Sequence, residues 1–185
     1  MLANLAVLLL AAAAAASPGW TIPADQPDGV YSVSVDAAGN ATHTFLAPIS
    51  TDALAERSAL LSPPGRHRRQ VPGHTAWCLD YRLTKADADL AYKSLAGQCG
   101  QGRRVSGGNS GVYGRSGEVV VYFCNYAANG GANTCYSNEL QDSIVNVLEK
   151  ACGSYQASFD HRDDRFCSYG QESVRSNPTY CGWPH

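Results

Sequence analysis

The chain is poor in charged side chains, and its positive and negative charges nearly balance. Only 16% of its residues are Asp, Glu, Lys or Arg, and the formal net charge at pH 7 is −2. No basic stripe runs along the sequence, so nucleic-acid binding by neutralisation of phosphates is not expected. A polybasic membrane-binding patch is missing as well.

Several motifs of metal proteins and hydrolases are also missing. The sequence has no C-x-x-C pair and no His-x-x-x-His pair, which argues against a zinc site, and nothing in it implies another metal or a cofactor. It has no G-x-S-x-G motif, the turn that presents a nucleophilic serine. A catalytic cysteine is disfavoured, because the features described next predict an oxidising compartment.

The one long apolar run lies at the start of the chain. Residues 2–16 are apolar apart from Asn4 and end in a run of alanines. A membrane-spanning helix needs ~20 residues, so this run is too short to be one. It predicts a signal peptide over residues 1–16 and a secreted, extracellular product without a membrane span.

A basic run, Arg66-His67-Arg68-Arg69, follows a stretch rich in Ser, Pro and Gly. Arginines at the first, third and fourth positions are what a kexin- or furin-like protease binds in its acidic pockets. The Pro and Gly residues around the run favour exposure and cleavage. We predict a pro-segment over residues 17–69, removed by a kexin-like protease, and a mature domain over residues 70–185. The alternative is a solvated basic linker.

Every cysteine of the chain lies after this basic run. In a small secreted domain they predict a disulfide framework, with three intramolecular bonds that include Cys99 and Cys152. Because the count is odd, one thiol is free or pairs between chains, and the sequence leaves the connectivity open. The seven candidates are Cys78, Cys99, Cys124, Cys135, Cys152, Cys167 and Cys181.

The pro-segment has a pattern of its own. Residues 29–35 alternate apolar and polar, residues 36–40 have turn composition, and residues 41–46 run back, which predicts a β-hairpin. Asn40 begins a glycosylation sequon at that turn. A lone hairpin is only marginally stable in water. It therefore either packs on the mature domain, as a folding aid or a mask, or serves as a spacer.

The mature domain mixes helical and strand patterns. Strands are predicted over residues 76–83 and 118–124, and two further strands, 155–159 and 165–169, are joined by a charged turn. Residues 102–116 have loop composition, with a short strand near Val105.

Two helices are predicted between these strands. One follows Thr84 and ends at Cys99-Gly100, and the other begins near Ser137 and ends at Cys152-Gly153. Each cysteine lies on or beside the apolar stripe of its helix, so both helices are expected to be stapled onto one face of a sheet. The predicted fold is a small disulfide-stapled α+β sandwich, an antiparallel sheet with two helices on one face.

The order of these motifs resembles a known group of proteins. After the signal and the basic site come Val-Tyr-Phe-Cys-Asn-Tyr at 121–126, Cys-Gly-Ser-Tyr at 152–155 and Cys-Ser-Tyr-Gly at 167–170. This order is similar to that of small secreted cysteine-rich proteins of filamentous fungi, which are treated as candidate effectors. More distantly, the helix-with-cysteine arrangement resembles smut killer toxins and necrosis-inducing effectors, a fold-level analogy that does not give function.

Tyrosine and tryptophan are frequent in the mature part, and both are common at recognition surfaces. They are also ordinary covering for a small core. The loop with Asn129, flanked by Tyr126 and Tyr136, is the preferred contact surface, with a plain connector as the alternative. We therefore expect an effector- or toxin-like glycoprotein that binds a host, cell-wall or cell-surface target.

The alternative function is a small extracellular hydrolase such as a ribonuclease. His161, Glu118 and Arg162 would then supply a base, an acid and a phosphate ligand. We interpret residues 160–164 as a solvated charged turn, and we place His74 outside the first strand. No catalytic residue is therefore assigned, and the sequence leans against an enzyme.

Overall fold

The computed structural model describes residues 19–50, 69–176 and 178–182. The predicted signal peptide, Arg66 and Arg68 lie outside the described residues. In chain order the elements are β1 Gly29–Val35, β2 Ala41–Ala47, β3 Arg69–Val71, β4 His74–Arg82, α1 Lys85–Cys99, β5 Arg103–Ser106, β6 Gly111–Ser116, β7 Val119–Asn125, β8 Ala132–Cys135, α2, β9 Gln156–Arg162 and β10 Cys167–Ser173. The helix α2 consists of consecutive α, π and α segments, Ser137–Gln141, Asp142–Leu148 and Glu149–Cys152.

Eight strands form the main sheet, in the order β2-β1-β6-β7-β10-β9-β4-β3, and every neighbouring pair is antiparallel. Strands β5 and β8 form a small second sheet. The predicted apolar strand is β7, which lies inside the main sheet with every side chain buried. Because side chains alternate along a strand, Val121 and Phe123 face the helices while Val120 and Tyr122 face the opposite side.

The hairpin β1–β2 is part of the main sheet. The Asp36 carboxylate holds its turn by accepting hydrogen bonds from the backbone amides of Ala38 at 2.9 Å and Asn40 at 2.8 Å. Strand β1 lies between β2 and β6 and pairs with β6 from Gly29–Arg115 to Val33–Gly111. The residues that the sequence assigns to a pro-segment thus share one sheet with the cysteine-rich part.

The two predicted helices cover one face of the sheet, which we call the helix face. In α1, Ala88, Ala91, Leu95 and Cys99 are buried, in the spacing that the sequence shows. The helix approaches β6 closely at Gly114, where an added Cβ would lie 2.6 Å from the carbonyl oxygen of Ala91. In α2 the buried apolar residues are Leu140, Ile144, Val147 and Leu148. The fold is a small disulfide-stabilised α+β fold, as predicted.

The three disulfides tie different layers together. Cys152 at the end of α2 bonds to Cys78 in β4, so this helix is stapled to the sheet as expected. Cys99 at the end of α1 instead bonds to Cys135 in β8. Because Cys135 lies just before α2, this bond ties the two helices to each other rather than α1 to the main sheet. The third bond, between Cys124 and Cys181, lies on the opposite face of the sheet.

The opposite face, which we call the back face, is lined by Tyr31, Tyr113, Tyr122 and Phe159. Segments from both ends of the described chain, residues 19–22 and 178–182, cover part of it. We call these segments the terminal cover. Trp20 and Tyr180 join them through two backbone hydrogen bonds of 2.8 Å, and their rings stack with centroids 4.8 Å apart.

Two regions differ from the sequence-based expectation. The predicted charged turn at 160–164 begins later, because β9 continues through Arg162, which pairs with β4 on one side and β10 on the other. Residues 111–116, predicted as loop, form the strand β6, whose Gly and Ser residues are buried against neighbouring elements. In both regions contacts with distant segments override the local composition.

No helix in the described ranges has the length and apolar character needed to cross a membrane.

Candidate functional site

The loop 125–131 and the turn 163–166 meet at one end of the sheet, which we call the loop end. Asn125 organises the loop: its Nδ2 lies 3.2, 2.9 and 3.0 Å from the carbonyl oxygens of Val105, Gly107 and Gly131. Its Oδ1 accepts a hydrogen bond of 2.9 Å from the amide of Ala127. Since Asn125 is fully buried, one side chain fixes the path of an otherwise exposed loop.

Phe166 is the most exposed of the large apolar side chains in the described residues, at 64%. Its φ is 49°, a left-handed conformation that is unfavourable for a residue with a bulky side chain. Its carbonyl oxygen accepts a hydrogen bond of 2.8 Å from the amide of Tyr126, which holds the turn against the loop. An exposed aromatic ring is therefore presented by a strained but hydrogen-bonded backbone.

Ion pairs and hydrogen bonds tie the loop end to α2 and β8. Arg165 in the turn forms an ion pair with Glu139 of α2 and donates a hydrogen bond of 3.2 Å to Asn133 Oδ1. Glu139 also accepts a hydrogen bond of 3.0 Å from the hydroxyl of Tyr169 in β10. These contacts fix the turn from which Phe166 projects.

The predicted contact residues have different surroundings at this end. Asn129 is exposed, with a φ of 57° that Asn tolerates better than most residues. Tyr126 packs its ring 5.6 Å from that of His161 and bonds through its hydroxyl to Ser168 at 3.0 Å. Tyr136 is half-buried, and the Arg165 guanidinium lies 5.4 Å from the centre of its ring. Asn129 therefore projects toward solvent, while much of each tyrosine is packed.

The residues of the alternative hydrolase site lie apart from one another. His161 is buried on the back face, with its Nε2 3.4 Å from Asp163 Oδ1, and burial lowers its pKa. Arg162, as the next residue of the same strand, faces the other side. Glu118 lies in the β6–β7 turn, where it contacts Arg175. The span of β10 from Ser168, opposite His161, to Ser173 near Glu118 is roughly 17 Å.

A different histidine has the better-oriented imidazole. His74 is the first residue of β4, not outside it, and its Nδ1 lies 2.7 Å from Oδ2 of the fully buried Asp160. The same oxygen accepts a hydrogen bond of 2.7 Å from the hydroxyl of Ser143 in α2. Burial raises the pKa of Asp160, and the bonds from His74 and Ser143 oppose that rise.

The other ring nitrogen of His74, Nε2, lies 3.8 Å from Asp142 Oδ2, and the His74 side chain is only 12% exposed. These contacts orient the imidazole ring between two carboxylate groups. His74 and Asp160 are 86 residues apart, so no local motif marks the pair.

A buried carboxyl group lies on the back face. Glu172 is only 7% exposed, and Tyr122 donates a short hydrogen bond to its Oε1. Burial raises the pKa of Glu172 to about 7, and the bond from Tyr122 partly opposes that shift. The Tyr122 ring packs directly against Gly170, since a Cβ on Gly170 would collide with that ring.

The remaining thiol is Cys167, which is free and fully buried in β10. Burial raises its pKa to about 12, against the opposing effect of Arg162 and Arg165. A buried, protonated thiol is a poor nucleophile and is shielded from pairing with another chain.

In the parts of the chain that the structure describes, no three His, Cys, Asp or Glu side chains group as metal ligands.

The predicted glycosylation residue, Asn40, is exposed at the hairpin turn, and its Nδ2 donates a hydrogen bond of 3.0 Å to Asp36. It borders a groove of about 490 Å³ between the turn and the terminal cover, which Trp20, Thr21 and His43 also line.

The comparisons with known proteins add no relative: no family model, no curated protein and no solved structure matches this chain.

Proposed function

We propose that this is a secreted, effector- or toxin-like protein that acts by binding a host, cell-wall or cell-surface target through its loop end. The observation that carries the proposal is Phe166, an aromatic side chain that is 64% exposed and set in a left-handed turn. Three disulfides, and the lack of any helix in the described residues long and apolar enough to span a membrane, are compatible with secretion. Kexin-type processing and glycosylation at Asn40 belong to the same proposal.

Preorganisation is the physical reason for choosing this surface. A backbone turn that is already held in place loses little conformational entropy on binding, and aromatic residues dominate the binding energy of many interfaces. Asn125 fixes the neighbouring loop, and Arg165 anchors the turn to Glu139. Asp163 and Asp164 are exposed beside Phe166, so the apolar anchor has a charged rim that favours selective contacts.

The test is binding of labelled protein to fungal and plant cells and to immobilised cell-wall polysaccharides. We expect Phe166→Ala to raise the dissociation constant at least about tenfold, a loss of ~1.4 kcal/mol. Phe45→Ala is the matched control, because Phe45 is also exposed, at 55%, but lies on the edge strand β2. Equal binding by both variants would exclude the loop end as the contact surface.

A third variant separates binding from folding. Phe166→Gly removes the ring and also relieves the left-handed backbone, which costs a non-glycine residue roughly 1–2 kcal/mol. The variant should therefore unfold at the same or a higher denaturant concentration than the parent while binding as weakly as Phe166→Ala. Loss of stability together with binding would instead assign Phe166 a structural role.

A second candidate function, hydrolysis with a general base, rests on the 2.7 Å contact between His74 Nδ1 and Asp160. The test is incubation with RNA and with oligosaccharides across a range of pH. Product formation that disappears in His74→Gln but persists in Phe166→Ala would favour this function over binding. The absence of turnover by the parent protein on both substrate classes would end it.

A further inference from the structure

We propose that residues 19–50 remain bound to the cysteine-rich part, as a second non-covalent chain, when the chain is cut after Arg69. The processed protein would then be a two-chain particle in which the hairpin is a permanent subunit. This differs from the removal that the basic run alone suggests, and it goes beyond the proposed binding function.

The backbone of the hairpin completes the main sheet. Strand β1 pairs with β6 over five consecutive residue pairs, from Gly29–Arg115 to Val33–Gly111, and β2 pairs with the outer edge of β1. Without the hairpin, β6 would present an unpaired edge, the type of surface that recruits another strand. Strand addition of this type supplies affinity through main-chain hydrogen bonds, and apolar pockets add to it.

The side chains of the hairpin fill the core on both faces of the sheet. Val30 is fully buried on the helix face, while Tyr31 and Val33 are 3% and 2% exposed on the back face. The Tyr31 ring stacks on that of Tyr113 in β6, with centroids 5.2 Å apart. Departure of the hairpin would expose the apolar residues that these side chains cover.

A second contact lies at the terminal cover, where Trp20 packs on the same Tyr113 ring that Tyr31 stacks on. Trp20 is 2% exposed, and its ring stacks on Tyr113 and Tyr180 at 5.4 and 4.8 Å. Trp20 also exchanges two backbone hydrogen bonds with Tyr180. Two separate attachments, β1 and Trp20, thus hold the same segment, and each raises the effective concentration of the other.

Polar contacts fix the register of the segment on its partner. The Asp28 carboxylate accepts hydrogen bonds of 3.0 Å from the amide of Gly117, and His43 Nδ1 lies 3.1 Å from the Tyr113 hydroxyl. At the far end the amide of Ser50 donates a hydrogen bond of 2.8 Å to Ser94 Oγ in α1. These contacts extend over most of residues 19–50, so the attachment is not limited to one strand.

No disulfide secures the segment. Each of the six bonded cysteines lies between Cys78 and Cys181, and the segment itself contains none. The association is therefore expected to survive native conditions and to be reversed by denaturant without any reductant.

The experiment cuts the full-length secreted protein with a kexin-type protease and then measures native mass and size-exclusion volume. We expect a single particle that contains both chains and that separates in denaturant without a reductant. Two species under native conditions, with the fragment from Gln70 onward folded alone, would overturn the proposal. Where the kexin-type enzyme is slow, insertion of a site for a sequence-specific viral protease after Pro64 cuts the chain near Arg69 and tests the same association.

Matched variants test whether the stated contacts hold the chains together. In the cut protein, Tyr31→Ala should raise the dissociation constant of the two chains at least about tenfold. Phe45→Ala should leave it within about twofold, because the Phe45 ring packs on Tyr31 of its own hairpin and is otherwise exposed. Val33→Ala, a smaller truncation on the same face, replaces Tyr31→Ala if that variant does not fold. Equal dissociation constants for the two classes of variant would refute the interface.

Discussion

The two faces of the main sheet are covered in different ways. On the helix face, aliphatic side chains from α1 and α2, among them Leu95, Ile144 and Leu148, pack on Val121 and Phe123. On the back face, aromatic rings from the sheet meet Trp20 and Tyr180 of the terminal cover. One face is thus covered by two regular helices, and the other by two short segments from opposite ends of the described chain.

Both faces bury polar groups. On the helix face, Asp160 has bonds from His74 and Ser143 to one of its oxygens. On the back face, Tyr122 donates a hydrogen bond to Glu172, and Trp20 Nε1 and Tyr180 Oη have no hydrogen-bond partner among the described residues. Burial of polar groups without full hydrogen bonding costs free energy. Asp160 Oδ1 on the helix face has no hydrogen-bond partner among the described residues either, so this cost falls on both faces. Two disulfides, Cys78–Cys152 and Cys99–Cys135, hold the helices, whereas one, Cys124–Cys181, holds the terminal cover. The back face is therefore expected to be the less stable of the two covers.

The largest effect should come from breaking the staple of the helix face. Replacing both Cys78 and Cys152 by Ala removes the bond between β4 and α2, and we expect the free energy of unfolding to fall by about 2–5 kcal/mol. Denaturant unfolding measures this loss. Cys167→Ala is the control, because it removes a buried sulfur that forms no disulfide. A loss no larger than that of the control would show that this disulfide adds little to the stability of the helix face.

The back face should respond to pH through Glu172. Because the pKa of this carboxyl is raised to about 7 in the folded protein, the folded state binds the proton more tightly than the unfolded state. Stability from this group is fully present below the unfolded pKa of ~4.3 and is lost as pH rises through 7, a loss of about 4 kcal/mol.

Unfolding midpoints measured between pH 4 and 8 test this prediction. Glu172→Gln should flatten the decline, because the amide does not ionise. Glu118→Gln, the same substitution at a partly exposed carboxylate, is the matched control. Parallel curves for the parent and Glu172→Gln would contradict the assignment of the slope to Glu172.

The smallest effects should come from single hydroxyl groups, one on each face. Ser143→Ala removes a hydrogen bond to the Asp160 carboxylate and should cost about 1.5–3 kcal/mol. Ser168→Ala removes a bond to the neutral, half-buried Tyr126 hydroxyl and should cost about 0.5–1.5 kcal/mol. Chemical unfolding of both variants compares the two losses directly. A larger loss in Ser168→Ala than in Ser143→Ala would mean that the hydrogen bond to Asp160 is no stronger than one between neutral groups.

The sequence predicts the parts of this fold that local patterns specify. The apolar run of β7, the stripes of α1 and α2, and the alternation in residues 29–35 each indicate their element, because burial follows the period of the element itself. Strand β6 is missed because its glycines, Gly111 and Gly114, are typical of loops. Glycine is needed at these positions because Trp20 and Ala91 approach them closely, which only the structure shows.

The candidate site is less accessible to sequence reasoning. Asn129 lies in an Asn-Gly-Gly loop whose composition indicates exposure, and it is exposed. Nothing in the local pattern indicates that Phe166 faces solvent, because its exposure follows from a turn held by Tyr126. The His74–Asp160 contact joins strands that are neighbours in the sheet but 86 residues apart in sequence, so only the sheet register reveals it.

The meeting of Trp20 with Tyr180 has a topological consequence. A Cβ on Gly182 would lie 3.5 Å from the amide nitrogen of Gly19, so the two ends of the described chain are in contact. A circular permutant that joins residue 182 to residue 19 through a short linker, and opens between residues 50 and 69, would keep every strand pairing of the main sheet. Such a rewired molecule would carry the hairpin at its carboxyl end, covalently attached and beyond the reach of the processing protease.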